Sequence, residues 1–203
     1  MSKKWYGSLN NRLEEGCYYN GTFNNLQEGT DITMYYYSDT HPYYITKVVN
    51  QKNIFVKEYK VCADQHKPGG MGHQNWLLFK DEKEEQEYIN KAVKEGLLPN
   101  YMYKDLNDIE ISEPREWVYR YNKWQEVDRI DLASWNNLVE RVKEDIIDPE
   151  NNPDKVKMLA QFYSNLTDKE LEKILSGKTV NKYTDLNGKV SFGIAQYYYD
   201  WSF

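Results

Sequence analysis

Apolar and polar positions recur with two different periods along this chain, and the change of period divides it. Up to about residue 127 the repeat is the period of two expected of strands. Aromatic runs at Cys17-Tyr18-Tyr19 and Met34-Tyr35-Tyr36-Tyr37 are separated by Asn20-Gly21, Asn24-Asn25 and Glu28-Gly29, which reads as short strands and turns. Two β-prone runs, Tyr43 to Val49 and Ile54 to Tyr59, flank the polar Asn50-Gln51-Lys52-Asn53 and predict a hairpin. Trp76-Leu77-Leu78-Phe79 predicts a buried strand. A second hairpin is expected from Glu116 to Val127 around Asn122-Lys123.

Two helical patterns interrupt the first half. Ser8 can cap a short helix carrying Leu9 and Leu13 and ending at Gly16. Asp81 to Lys94 is charged, with Tyr88, Ile89, Ala92 and Val93 as an apolar stripe and Gly96 placed to end it.

From 131 to 177 the period becomes 3.6. Leu132, Trp135, Leu138, Val139, Val142 and Ile146 share one face of a helix capped by Asp131 and stopped by Pro149. Asn152-Pro153 opens a second helix with Val156, Leu159, Ala160 and Tyr163 inward. Thr167-Asp168-Lys169-Glu170 is a capping box opening a third, with Leu171, Ile174 and Leu175 inward and Gly177 at its end. After Asn187-Gly188 the alternation of Val190, Phe192, Ile194, Gln196 and Tyr198 with Ser191, Gly193, Ala195, Tyr197 and Tyr199 predicts a strand. The fold class is therefore α+β, and that last strand must return to a sheet formed much earlier.

Composition changes this picture at one point. Leu, Ile, Val and Phe supply about 22% of the 203 residues, close to the roughly 20% floor for a chain that folds. The 19 tyrosines and 6 tryptophans must make up the core. The net charge of −6 argues against a nucleic-acid partner, whose phosphates call for Lys and Arg. All of that charge sits between 81 and 116, a solvated face or an acidic surface for a basic partner. Two cysteines form no disulfide framework, and no stretch reads as a leader or a membrane span, so a cytoplasmic protein is expected.

Catalytic signatures are weak. Cys62, His66 and His73, with Asp64 or His41, have zinc-like spacing but lack paired ligands on two halves, so neither metal nor cofactor is expected. Ser38, Asp39 and His41 lie on one extended run, where a triad would converge from separate strand ends. Gly69, Gly70 and Gly72 open no helix and make no phosphate loop. Alternation does put some tyrosines of each aromatic run on an outer face, where such rings serve as binding anchors. The candidate binding residues are Tyr35, Tyr37, Asp39, His41, Trp117, Tyr197, Tyr199 and Trp201.

Three segments carry a resemblance. They are Tyr37-Ser38-Asp39-Thr40-His41-Pro42-Tyr43, Trp117 to Trp124, and Val190 to the ending Tyr198-Tyr199-Asp200-Trp201-Ser202-Phe203. Together they resemble an uncharacterised family of small phage and prophage proteins, over residues 1 to 80, 113 to 127 and 188 to 203. Thr40 stands where such proteins usually carry Arg. The resemblance implies a phage origin and a small antiparallel β-barrel core, SH3-like in one form, made of 1–127 plus 188–203. Shorter members lack 128–187, so its three helices read as an insertion. No activity is implied. The expectation is a non-enzymatic binding protein that contacts a host or phage protein in the host cytoplasm, with inhibition of host defence as one such role. A nucleotide or small-ligand binder using exposed Tyr and Trp is the alternative. An exposed edge strand or the apolar helical stripe could also support a homodimer.

Overall fold

The computed structural model describes residues 3–8, 25–36, 39–66, 73–97, 113–146, 148–186, 189–193, 195 and 197. The helix expected from Ser8 to Gly16 and the strand at Cys17 to Tyr19 lie outside them, except that Ser8 ends a strand, β1 (Lys3–Ser8). There follow β2 (Asp31–Tyr35), β3 (Thr40–Asn50), β4 (Asn53–Glu58), β5 (Lys60–Ala63), β6 (His73–Phe79), α1 (Glu82–Lys94), β7 (Arg115–Arg120) and β8 (Lys123–Ile130). Then come α2 (Leu132–Glu144), a 3-10 turn (Pro149–Asn151), α3 (Pro153–Ser164), α4 (Asp168–Leu175), β9 (Val180–Asp185) and β10 (Lys189–Phe192). The protein is mixed α+β. Its contacts divide it into one unit of residues 1–126 with 185–203 and another of 127–184.

Seven strands run in the order β10-β2-β3-β4-β7-β8-β9, and β1-β6-β5 form a separate three-stranded sheet. The β10–β2, β2–β3, β3–β4 and β4–β7 pairs are antiparallel. The larger sheet ends at β10 and β9 and is open, where the expected barrel would close on itself. Both expected hairpins form. In the second the turn falls one residue early, at Tyr121-Asn122, with both residues in the left-handed region (φ 52° and 62°). The C-terminal strand is shorter than its alternation suggests, because the chain leaves β10 at Gly193 with φ 94°.

The core of the first unit follows the period of two. Tyr43 and Ile45 on β3, Ile54 and Val56 on β4, Trp117 on β7 and Trp124 on β8 pack with Ile32, Met34 and Phe192. The Trp117 and Tyr43 ring centroids are 5.1 Å apart. The core is thus aromatic as composition requires, and each buried ring removes on the order of 150–250 Å² from water.

The helical unit is cored by Trp135, Val142, Val156, Ala160, Leu166, Leu171, Ile174 and Val180. Its helix starts are written locally: Asp131 accepts from the Ser134 N–H at 2.8 Å, and Thr167 with Glu170 completes the capping box. Asn152 precedes Pro153 as expected, yet its side chain donates to the Asp148 carbonyl at 2.9 Å and caps nothing. Three residues expected inward are exposed: Leu132, Tyr163 and Leu175. They sit at the margins of their apolar stripes, and helices this short bury only the stripe centre. β9 is an element with no apolar run to announce it, since Val180 is its one buried residue.

Two predictions follow from this packing. Trp117→Ala should cost about 3–5 kcal/mol in denaturant unfolding. Trp117→Phe should cost clearly less, because the buried indole Nε1 has no hydrogen-bond partner among the described residues. Glu170 accepts from the Thr167 N–H and from Lys182, which lowers its pKa from 4.5 to about 2. A carboxyl lowered on folding stabilises above its unfolded pKa, and that contribution is lost as pH falls through the folded value. Acid titration followed by circular dichroism should show Glu170→Gln flatter than the parent between pH 4.5 and 2.

Candidate functional site

On four neighbouring strands of the first unit, a buried apolar position lies two residues from a polar one. The pairs are Tyr43 and His41 on β3, Val56 and Glu58 on β4, Trp117 and Arg115 on β7, and Trp124 and Glu126 on β8. Period two keeps each pair on one face, so the strands that build the core also build a polar row at its end. Register aligns the row: Tyr43 stands opposite Glu58 and Val56 opposite Arg115.

The row alternates in charge. His41 Nδ1 lies 2.8 Å from Glu58 Oε1, Arg115 lies 3.9 Å from Glu58 and 3.7 Å from Glu126. The carboxylate fixes the imidazole so that Nδ1 donates to it. Nε2 has no hydrogen-bond partner among the described residues. His41 and Glu58 are each about one-third exposed, so the pair is worth roughly 0.2–1 kcal/mol. Its effect is to hold a ring in place.

Aromatic rings flank that imidazole. Tyr36 meets it edge-to-face at 5.0 Å and Tyr197 at 5.8 Å, and Tyr197 meets Trp76 in the same manner at 4.7 Å. Tyr36 is 36% exposed, and its hydroxyl interacts with that of Tyr43, which is buried. Burial foremost, then Glu58, holds the Tyr43 pKa far above the ordinary range. Burial also raises Tyr36, against the lowering effect of the Tyr43 hydroxyl. On the other side of β4, burial pushes Tyr59 up to about 12 and its hydroxyl donates to Asp31 at 2.6 Å.

Of the residues singled out from sequence, the structure brings His41 and Tyr197 together. Tyr35 is half-buried, with the Ser191 hydroxyl donating to its oxygen at 3.4 Å. Asp39 is half-buried, and its carbonyl accepts the Tyr36 N–H at 2.8 Å. Trp117 belongs to the core at 0% exposure, so it presents nothing to a partner. Tyr37, Tyr199 and Trp201 lie outside the described residues. Sequence reading missed Tyr36, Trp76, Glu58, Arg115 and Glu126. The repeated pairing of a polar residue with an apolar one two positions away on successive strands was the available signal for the last three.

The metal-like spacing resolves differently. Burial, then Glu85 and Asp64, pushes the Cys62 thiol up to about 11, away from the thiolate a metal takes. His66 faces Glu95 at 3.5 Å, and the His73 side chain lies outside the described residues. Among the described residues no three His, Cys, Asp or Glu side chains group as metal ligands, and no helix is long and apolar enough to cross a membrane. No family model, no curated protein and no solved structure matches the chain.

The Tyr43–Tyr36 interaction can be read directly. Because the Tyr43 hydroxyl lowers Tyr36, Tyr43→Phe should push the Tyr36 pKa higher still. Tyrosine-selective NMR titration of the two proteins would show it, and an unchanged or lower Tyr36 midpoint would contradict the interaction.

Proposed function

We propose that this chain is a non-enzymatic, phage-encoded binding protein that acts in the host cytoplasm by contact with a host or phage protein, a component of host defence among the candidates. The observation that carries this reading is the half-exposed aromatic and ionic row built on the sheet. Tyr36, His41 and Tyr197 offer rings in fixed orientation, and Glu58, Arg115 and Glu126 offer charges already held by neighbours. Rigid aromatic anchors ringed by polar groups are what interface hot spots use, since little side-chain entropy is lost on binding. The imidazole is oriented, but the described part of the row sets no Ser, Thr or Cys beside it as a nucleophile.

A second reading rests on a cavity of about 480 Å³ beside the row, lined by Lys57, Glu58, Tyr59, Lys60, Glu113 and Arg115 among others. It is large enough for a nucleotide or similar small ligand. Thermal-shift screening against nucleotides tests it.

For the protein-contact reading, tagged full-length chain should capture a specific partner from infected-host lysate. Tyr36→Ala with Tyr197→Ala should weaken that complex at least about tenfold, roughly 1.4 kcal/mol. Tyr121→Ala, at a fully separate and 80% exposed turn position, should leave it unchanged. Capture that ignores the Tyr36 and Tyr197 changes, or no capture by folded protein, overturns the reading.

A further inference from the structure

The helical unit holds a cavity of about 760 Å³ between α2, the 3-10 turn, α3 and α4. Its apolar lining comes from residues that otherwise make the unit's core: Trp135 is 5% exposed, Val156 and Leu171 3% each. Val139 and Leu175 continue the wall, and Leu175 is 54% exposed. A volume of this size lies within the range of small-ligand sites, which are mostly apolar with a few placed polar groups. Pro149 and Pro153 stand on its rim, where fixed φ limits closure.

The charged groups on the rim are unequal. Lys143 is held by Glu140 at 2.7 Å. Lys157, on the same α3 face as Val156 and Pro153, has no carboxylate partner among the described residues, and Glu150 has no cation partner among them. One uncommitted ammonium beside an apolar wall complements a single negative charge on an apolar body. Glu150 across the rim opposes a head of higher negative charge, such as a phosphate monoester.

We propose that this cavity binds an amphipathic monocarboxylate, with its hydrocarbon over Trp135, Val139 and Leu171 and its carboxylate at Lys157. The site lies in the other unit from the His41 row and goes beyond the protein-contact reading, so either can fail without the other.

The test uses the full chain with decanoate, decanol, decylamine and decyl phosphate, read by methyl NMR of Val139, Val156, Leu171 and Leu175. Decanoate should shift these methyls saturably and bind at least tenfold more tightly than the other three. Lys157→Glu, at an exposed position, should weaken decanoate at least tenfold, and Glu150→Gln should tighten it. Val139→Trp should place an indole against the apolar wall and weaken decanoate binding in a protein whose remaining spectrum is native. Shifts absent or scattered over the surface, equal affinity for decanol and decanoate, or an unaltered affinity in Lys157→Glu would each overturn the proposal.

Discussion

A core short of aliphatic side chains has to be filled with aromatic rings, and in the first unit that requirement organises the structure. Tyr43 is buried against Trp117, where an aliphatic side chain would pack with no further demand. With few aliphatics to spend, the chain uses a ring that carries an oxygen, and leaving that oxygen unpaired would cost about 1–3 kcal/mol. The Tyr43 hydroxyl interacts with that of Tyr36 just past the end of β2. That interaction reaches from the core to a surface ring, and the surface ring meets His41. Core and candidate site are therefore joined through Tyr36.

The two units meet the scarcity of aliphatics differently. The sheet unit packs Tyr43, Trp117, Trp124 and Phe192 with a few β-branched residues, so its buried surface comes in large pieces with polar handles. The helical unit uses Val, Leu, Ile and Ala around a single tryptophan, and its stability leans on capped helix starts. Short capped helices bury a narrow stripe, which leaves Met158, Phe162 and Tyr163 on α3 at 60% exposure or more. A mean hydropathy of −0.89 fits both halves: tyrosine scores as polar although it packs as an apolar ring.

What could be read from the sequence was local. Asp131 and Thr167 mark helix starts through bonds spanning three residues, and both caps form, whereas the Asn152 side chain caps nothing. The hairpins are equally local, although Tyr121 takes a left-handed conformation that a bulky residue rarely adopts, which moved the turn by one position. Tyr163 and Leu175 were misjudged because a 3.6 period identifies a stripe and not how much of it neighbours cover. β9 escaped because Val-Asn-Lys-Tyr-Thr-Asp has strand-like residues but no alternation of burial to show it.

The site was less legible than the fold for a physical reason. His41, Glu58, Arg115 and Glu126 are far apart in sequence, and which of them meet depends on the register of three strand pairings. A slip of one residue would turn every member of the row to the opposite face. Register here is held by the same burial that makes the core: Ile45 opposite Val56 and Ile54 opposite Trp117 cannot shift without exposing apolar surface. The charges contribute little to that choice, being a third to a half exposed and worth under about 1 kcal/mol a pair. Packing therefore sets the row, and the row is free to vary in chemistry without loss of the fold. A surface of that kind, cheap to alter and rigidly backed, suits recognition better than it suits stability.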